Sequence, residues 1–105
     1  MQMTDRQIEA VAAWASSIDA ISAIWLFGSR SRNQARPDSD YDFAVELRPK
    51  IGNHDWAFGD YVFEEPQWKA ELRSLVGGEV SLVPWRDYDL EGPFDPRVIL
   101  LWKRK

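Results

Sequence analysis

The segment from Asp40 to Leu47 constrains the fold more than any other part of the sequence. Apolar side chains alternate along it with acidic and small ones: Tyr41, Phe43 and Val45 against Asp40, Asp42 and Ala44. Because successive side chains of a strand point to opposite faces, this alternation predicts a strand that is apolar on one face and acidic on the other. Such a strand needs a covering layer on its apolar face.

Helical patterns on either side of this strand supply the covering layer. Thr4 and Gln7 have the spacing of a capping box, and apolar residues follow at helical intervals, which predicts a helix over about Thr4–Ser17. A second helix is predicted to begin at Pro66, a residue type favoured in the first helical turn, and to end at Val76 before two glycines.

Short apolar runs predict three further strands: Ile21–Phe27, Val80–Pro84 and Arg97–Trp102. Arg48–Asp55 is predicted to be a loop, and the aromatic-rich segment Trp56–Phe63 fits either a helix or a packed loop. Since domains run at about 100–200 residues, the 105 residues are expected to form a single domain over 1–105. The predicted fold class is α+β, with a small mixed sheet of about four strands covered by two or three helices.

The composition excludes several classes of protein. The absence of Cys rules out a disulfide scaffold and a thiol nucleophile, and the single His argues against a Ser-His-Asp triad. The longest apolar runs, of five residues, are far shorter than a membrane span, and the start of the chain lacks a signal-peptide pattern. A cytoplasmic domain with no membrane partner is therefore expected. The net charge of -4 argues against nucleic acid as a partner.

Two short motifs point to a common chemistry. Gly28 and Ser29 follow a predicted strand directly, and ten residues separate Ser29 from Asp40. Asp40 and Asp42 lie two positions apart on their strand, so both carboxylates face the same way, about 6.6 Å apart. Two such carboxylates repel each other unless a cation neutralises them, and Mg²⁺ commonly takes one or two carboxylates together with substrate phosphates. Because Gly28 lets the backbone approach a phosphate and Ser29 adds a hydroxyl, the motifs together predict a site for a metal–nucleoside triphosphate complex.

Each motif also has a simpler interpretation. A Gly-Ser pair after a strand is commonly an ordinary turn, and Asp38–Asp40 has the composition of a solvated loop. Asp42 is not explained in this way, because an apolar strand gains nothing from acids at alternate positions unless a cation lies there. The phosphate-binding P-loop is excluded since Gly-Lys-Ser/Thr is absent, and an EF-hand needs Gly and Glu where Phe43 and Pro49 stand.

The stretches Trp25–Arg32 and Arg36–Val45 together resemble the minimal nucleotidyltransferases of the DNA polymerase β superfamily. The signature of that family is Gly-Ser, about ten residues, and then Asp-x-Asp, and the spacing here matches it. The resemblance implies a nucleotidyltransferase-like fold. It also implies transfer of a nucleoside monophosphate from a triphosphate to a hydroxyl, with pyrophosphate leaving.

The resemblance further implies roles for individual residues. By this resemblance, Gly28 and Ser29 would hold the β- and γ-phosphates of the nucleotide. Asp40 and Asp42 would hold the metal ions, Mg²⁺ or Mn²⁺. Two metal ions about 3.5–4 Å apart would stabilise the attacking and leaving oxygens. Arg30 or Arg36 would neutralise charge on the leaving pyrophosphate, or would instead pair with Asp38 at the surface.

One position departs from the family pattern. The family places a third carboxylate on the strand after the second helix, where this chain has Ser81. A neutral serine supplies neither charge nor a useful base near pH 7. Glu79, two positions earlier on the same face, would substitute only if its side chain spanned much of the ~6.6 Å offset. Binding of metal and nucleotide by Asp40 and Asp42 is therefore a safer expectation than catalysis.

Two functions of different classes remain. In the first, the chain transfers a nucleoside monophosphate, AMP from ATP, to a hydroxyl of a partner protein. The resemblance implies that this partner is a small helical HEPN-type toxin, which the chain neutralises as an antitoxin. In the second, a catalytically impaired module neutralises its partner by occlusion through exposed aromatic residues. These aromatics, which would otherwise build the core, are Trp56, Phe58, Tyr61, Phe63 and Trp68.

Overall fold

The computed structural model describes residues 3–31, 35–36, 38–47, 54–85 and 98–104. Its elements in chain order are α1 (Asp5–Ser17), β1 (Ile21–Phe27), α2 (Gly28–Ser31), β2 (Tyr41–Leu47), α3 (His54–Val76), β3 (Val80–Trp85) and β4 (Ile99–Lys103). The predicted α+β fold with a mixed four-stranded sheet is confirmed. In the part of the chain described, the helices lack the combination of length and apolar content that crossing a membrane requires.

The four strands lie in the order β3-β2-β1-β4. β1 is antiparallel to both β2 and β4, whereas β2 and β3 are parallel and are joined through α3. Parallel neighbours cannot be joined by a tight turn, so α3 is the crossover that this pair needs. Phe27 pairs with Asp42, and Asp42 pairs with Ser81. This register brings the end of β1 next to the starts of β2 and β3.

The apolar face of β2 is the covered face of the sheet. Its three apolar residues are buried, as the alternation predicted, and they pack against Ile24 and Leu26 of β1. The helices complete this core with Val11 and Ala15 from α1 and Trp68, Leu72 and Val76 from α3. We call the opposite face of the sheet, which carries Asp42 and Ser81, the acidic face.

The start of α1 is fixed by the predicted capping box. Thr4 is the N-cap, and it exchanges two hydrogen bonds with Gln7: Thr4 N to Oε1 at 2.8 Å and Gln7 N to Thr4 Oγ1 at 3.1 Å. The Gln7 Nε2 also donates to the carbonyl oxygen of Val76 at 3.0 Å and to the hydroxyl of Tyr41 at 3.1 Å. One side chain therefore joins the start of α1 to the end of α3 and to β2.

Aromatic residues join α1 to the middle of α3. The rings of Trp14 and Trp68 meet edge to face with centroids 6.2 Å apart, and Trp14 Nε1 donates to Glu71 Oε2 at 2.8 Å. Trp68 is only 4% exposed. It therefore belongs to the core, not to an exposed aromatic surface. The other four aromatic side chains of the predicted cluster lie outside the described part.

The helix that was predicted to begin at Pro66 is α3, and it starts earlier than predicted. It begins at His54, so the predicted start at Pro66 was wrong, as was the loop predicted for residues 54–55. Residues 48–53 of that loop lie outside the described part, and Trp56–Phe63 is helical. Pro66 is an exposed interior residue of the helix, and its missing N–H removes one intrahelical hydrogen bond. Tertiary packing of a helix against a sheet outweighs such local preferences.

The strand boundaries differ from the predictions only at their ends. β1 has the predicted bounds, and β3 extends one residue further, to Trp85. β4 runs from Ile99 to Lys103, and Arg97, its predicted first residue, lies outside the described part. Asp40, which was predicted inside the second strand, lies directly before β2.

The end of β4 is tied to the junction between α1 and β1. The Arg104 guanidinium donates from Nη2 to the carbonyl oxygens of Ile18 and Ile21, each at 3.0 Å. Its backbone N–H donates to the Ser22 carbonyl oxygen at 2.7 Å. The guanidinium carbon also lies 4.9 Å from the centroid of the Trp102 ring. This cation therefore closes the carbonyl-rich end of α1 and fixes the edge strand beside it.

Candidate functional site

The turn after β1 brings Gly28 against Asp42. Gly28 has a φ of 73°, in the left-handed region that residues with a Cβ rarely adopt. A Cβ built on Gly28 would lie 3.0 Å from the Asp42 Cγ and 3.3 Å from its Cβ, and closer still to Oδ2. The pairing of Phe27 with Asp42 sets up this approach. Both the backbone conformation and the neighbouring carboxylate therefore require glycine here.

The short helix α2 continues from this glycine. Ser31, its last residue, donates its hydroxyl hydrogen to the Gly28 carbonyl oxygen at 2.8 Å, which closes the turn. Ser29 is the second residue of α2, and its side chain lies outside the described part. The structure therefore places the backbone of the Gly-Ser motif at the end of the sheet where Asp42 lies.

Ser81 is the lateral neighbour of Asp42 on β3. Paired residues of adjacent strands project to the same face, so the hydroxyl and the carboxylate share the acidic face. Both residues are partly buried. Ser81 thus stands beside Asp42, on the strand that was expected to supply a third carboxylate.

Asp40 lies just before β2 and is exposed to solvent. Its backbone is held on both sides. The Ser39 carbonyl oxygen accepts from Arg30 Nη2 at 2.9 Å, and Tyr41 N donates to the Glu79 carbonyl oxygen at 2.9 Å. If the alternation of β2 is carried one residue past its start, it predicts that Asp40 projects to the same face as Asp42. The main chain of Asp40 therefore lies next to the end of the acidic face that carries Asp42.

A turn leads the chain into Asp40. Ser39 N donates to the Arg36 carbonyl oxygen at 3.0 Å, and Arg36 N donates to Ser39 Oγ at 2.8 Å. These two bonds hold Arg36 and Ser39 together at the ends of the turn. Arg36 and Asp38 are both exposed, so the Arg36 guanidinium belongs to the solvent-facing part of this turn.

Arg30 lies under this turn and is 7% exposed. Its guanidinium carbon is 3.8 Å from the centroid of the Tyr41 ring, and its Nε and Nη2 both donate to the Ser39 carbonyl oxygen, at 3.2 Å and 2.9 Å. Tyr41 belongs to the covered face, opposite to Asp42. Arg30 is therefore buried against a ring and a carbonyl oxygen, whereas Arg36 faces solvent. The sequence pattern placed Tyr41 only on the apolar face of its strand and gave Ser39 no role. An aromatic residue between two aspartates is the signal that could have identified Tyr41.

Glu79 is directed to α3. Its side chain is 71% exposed, and Oε2 lies 3.5 Å from Arg73 Nε. An exposed ion pair of this kind is worth little. The part of Glu79 that reaches the site is its main-chain carbonyl group, through the bond from Tyr41.

The donor chemistry of this end of the sheet fits a hard divalent cation. Asp40 and Asp42 offer carboxylate oxygens, and Mg²⁺ is usually completed by water and substrate phosphates rather than by a full protein cage. Among the described residues, no cluster of three or more His, Asp or Glu side chains is arranged to hold a metal ion. A pair of carboxylates beside a neutral hydroxyl is therefore what these residues offer.

The comparison with protein families gives the class of this fold. The family "Polymerase beta, Nucleotidyltransferase" matches residues 9–92, which include the Gly-Ser turn, both aspartates and Ser81. The chain belongs to this nucleotidyltransferase family. This confirms the resemblance drawn from the Gly-Ser and Asp-x-Asp motifs. A comparison with curated protein sequences finds no match.

Solved structures show the same fold. A toxin–antitoxin complex with AMP-PNP contains a chain of 20% identity and TM-score 0.64, with 93% of this chain and 74% of that one covered. A mutant of the toxin–antitoxin complex MntA–HpeT gives 18% identity and TM-score 0.61, covering 94% and 74%. A nucleotidyltransferase described as putative, from Sulfolobus solfataricus, gives 18% and 0.53, covering 99% and 93%.

Proposed function

We propose that this protein is a metal-dependent nucleotidyltransferase that moves AMP from ATP to a hydroxyl of a partner protein. The observation that carries the proposal is the contact of Gly28 with the Asp42 carboxylate, two positions after Asp40 in the chain. Such a transfer needs a turn that phosphates can approach and carboxylates that can hold a metal, and the contact of Gly28 with Asp42 supports the assignment of both parts to this end of the sheet.

Each step of the proposed transfer would involve particular residues of this chain. Asp40 and Asp42 would hold Mg²⁺ or Mn²⁺, while Gly28 and Ser29 would receive the β- and γ-phosphates. The bound metal would supply stabilisation of the charge on the attacking and leaving oxygens. Arg36, exposed on the adjoining turn, would offset the charge of the departing pyrophosphate.

The residue at the position of the third carboxylate limits the expected rate of nucleotide transfer. Ser81 lies beside Asp42, and its hydroxyl neither adds negative charge nor accepts a proton near neutral pH. Glu79, the other candidate, has its carboxylate at Arg73 on α3. We therefore expect transfer to be slow in the isolated protein, and a new carboxylate at position 81 to accelerate it.

The proposed partner is a small helical HEPN-type toxin. Two structural neighbours are components of toxin–antitoxin complexes, and one of these complexes contains AMP-PNP. In the MntA–HpeT mutant, two aspartates two positions apart are replaced by glutamate, the same spacing as Asp40 and Asp42. The chain would then act as an antitoxin by nucleotidylating its partner.

Ser81 favours one alternative function. A chain with only two carboxylates at this site could bind the metal–nucleotide complex and neutralise its partner by occlusion without any transfer. The two functions predict the same fold and the same ligand, and they differ in whether a labelled nucleotide reaches the partner.

Labelled ATP distinguishes them. The purified protein is incubated with α-labelled ATP, Mg²⁺ or Mn²⁺ and a candidate HEPN-type protein, and label on the partner is measured. We expect transfer in the wild type, its loss in Asp40→Asn and Asp42→Asn, and an increase in Ser81→Asp. Asp38→Asn, which removes an exposed aspartate of the neighbouring turn, is the matched control and should transfer normally.

Two outcomes would count against the enzyme. Nucleotide binding without transfer in both the wild type and Ser81→Asp would support the occlusion module. Undiminished transfer in Asp40→Asn and Asp42→Asn would show that these carboxylates do not hold the metal.

A further inference from the structure

We propose that Arg30 is a positioning residue that fixes the Asp40 carboxylate for the metal, and that it does not contact the phosphates of the nucleotide. This inference rests on the proposed function, because it takes Asp40 and Asp42 as the metal ligands.

The hydrogen bonds around Asp40 fix both of its peptide groups. Arg30 donates twice to the Ser39 carbonyl oxygen, at 3.2 Å from Nε and 2.9 Å from Nη2, and that carbonyl belongs to the peptide group before Asp40. The N–H of Tyr41, in the peptide group after Asp40, donates to the Glu79 carbonyl oxygen at 2.9 Å. Each peptide group is planar and rigid, so holding both fixes φ and ψ of Asp40 and thus the direction of its Cα–Cβ bond.

Asp40 needs such a clamp more than Asp42 does. Asp42 lies inside β2, where strands on both sides pair with it, and its carboxylate packs against Gly28. Asp40 lies before the strand and is exposed. Two carboxylates that share a metal repel each other before the metal binds. Without the clamp on the Ser39 carbonyl, the Asp40 side chain would turn away from its neighbour.

Arg30 lies on the covered side of β2, so it is not placed to reach phosphates held at the acidic face on the opposite side. Its guanidinium lies over the ring of Tyr41, whose side chain belongs to the covered face, and the residue is 7% exposed. The ring itself is held by the bond from Gln7 to its hydroxyl, and by Gly78, where an added Cβ would lie 3.1 Å from the Tyr41 Cε2. Arg30 is thus fixed from two directions, by a ring and by a carbonyl oxygen.

Binding of Mn²⁺ alone, followed by electron paramagnetic resonance, tests this role on the full chain. Side chains that orient a ligand change metal affinity by about ten- to a hundred-fold. We expect Arg30→Met to weaken Mn²⁺ binding about ten-fold while binding of tripolyphosphate in EDTA changes less than two-fold. Arg30→Lys, which keeps the charge but not the two-pronged donation, should give an intermediate Mn²⁺ affinity and provides a second variant if Arg30→Met does not fold.

Arg36→Gln is the charge-matched comparison. Arg36 is exposed on the turn and lies at the proposed pyrophosphate end of the site. This variant should show the opposite pattern, with weaker tripolyphosphate binding and unchanged Mn²⁺ affinity. The comparison separates the loss of a positive charge from the loss of the clamp.

A double-mutant cycle with Asp40 distinguishes positioning from general destabilisation. If Arg30 acts through Asp40, Arg30→Met should have less than a two-fold effect on the residual Mn²⁺ binding of an Asp40→Asn protein. An equal ten-fold effect in both backgrounds would overturn the positioning role. So would loss of tripolyphosphate binding, or wild-type Mn²⁺ affinity, in Arg30→Met.

The failure of the proposed function would look different. If the wild type binds no Mn²⁺, or if Asp40→Asn and Asp42→Asn bind it as the wild type does, the metal site itself is refuted and the positioning role with it. If these two variants bind weakly while Arg30→Met binds normally, only the positioning role is refuted.

Discussion

Replacing Gly28 by alanine should damage stability and metal binding together. Alanine at a φ of 73° is strained by about 1–2 kcal/mol, of which about 0.4–1 kcal/mol is recovered because the unfolded chain has less freedom. The new Cβ would also lie 3.0 Å from the Asp42 Cγ and nearer still to Oδ2, so the carboxylate must rotate away. Forcing that side chain from its rotamer adds about 0.5–1.5 kcal/mol. The expected total is about 2 kcal/mol.

Gly77→Ala is the matched control for this prediction. Gly77 has nearly the same conformation, with a φ of 75°, but a Cβ built there meets nothing within 4 Å. It should therefore lose only the backbone part, about 1 kcal/mol. At about 4–8 °C per kcal/mol for a domain near this size, the unfolding midpoint should fall by about 10 °C for Gly28→Ala and by about half as much for Gly77→Ala.

Two measurements check the prediction. Thermal unfolding followed by circular dichroism gives the two midpoints, and Mn²⁺ titration gives the affinity of each folded protein. Mn²⁺ affinity should fall at least about ten-fold in Gly28→Ala and stay at the wild-type value in Gly77→Ala. If Gly28→Ala binds Mn²⁺ like the wild type, the displacement of Asp42 does not occur and the argument from the close approach is refuted.

Three further substitutions test the packing that supports the site, each by chemical denaturation. Gln7→Ala removes the reciprocal bond to Thr4 and two tertiary hydrogen bonds and should cost about 1–3 kcal/mol; a loss below 0.5 kcal/mol would contradict their role. Arg104→Met should cost about 1–3 kcal/mol because the Ile18 and Ile21 carbonyl oxygens lose the guanidinium as a donor, while Lys103→Met, at an exposed neighbour, should cost less than about 0.5 kcal/mol; equal losses would refute this. Leu72→Ala should cost about 2–5 kcal/mol, since its fully buried side chain packs in the core, and a near-neutral result would show that the core is placed wrongly.

The elements that were predicted correctly carry their signals locally. The Thr4–Gln7 capping box needs only residues within one helical turn, and the structure contains both of its hydrogen bonds. The alternation along β2 needs only a two-residue period, and the apolar side is buried. The start of α3 was predicted wrongly because Pro66 gives the same local signal in the first turn of a helix and inside one. Packing on the sheet decides between these positions, and the sequence near Pro66 does not contain that information.

The site shows the same division between local and distant information. The spacing of the motifs predicted that Gly28 and Asp42 belong to one site, but it gave a different reason for the glycine. Sequence reasoning explained Gly28 by the approach of a phosphate, whereas the structure shows the Asp42 carboxylate already occupying the space of its missing Cβ. That contact depends on the pairing of Phe27 with Asp42, and pairing register follows from the whole sheet.

The strand β3 links the geometry of the carboxylate pair to the question of activity. The carbonyl oxygen of Glu79, the residue before β3, accepts from Tyr41 N and so holds the peptide group after Asp40, and the pairing of β3 with β2 places Ser81 beside Asp42. On the β3 side the positioning is thus performed by backbone atoms, which do not depend on the side chain at position 81. A serine at position 81 can therefore remove the charge of a third carboxylate without loosening the other two. We therefore expect binding of metal and nucleotide to be separable from transfer, so that the proposed enzyme and the occlusion module would differ by the chemistry of one side chain.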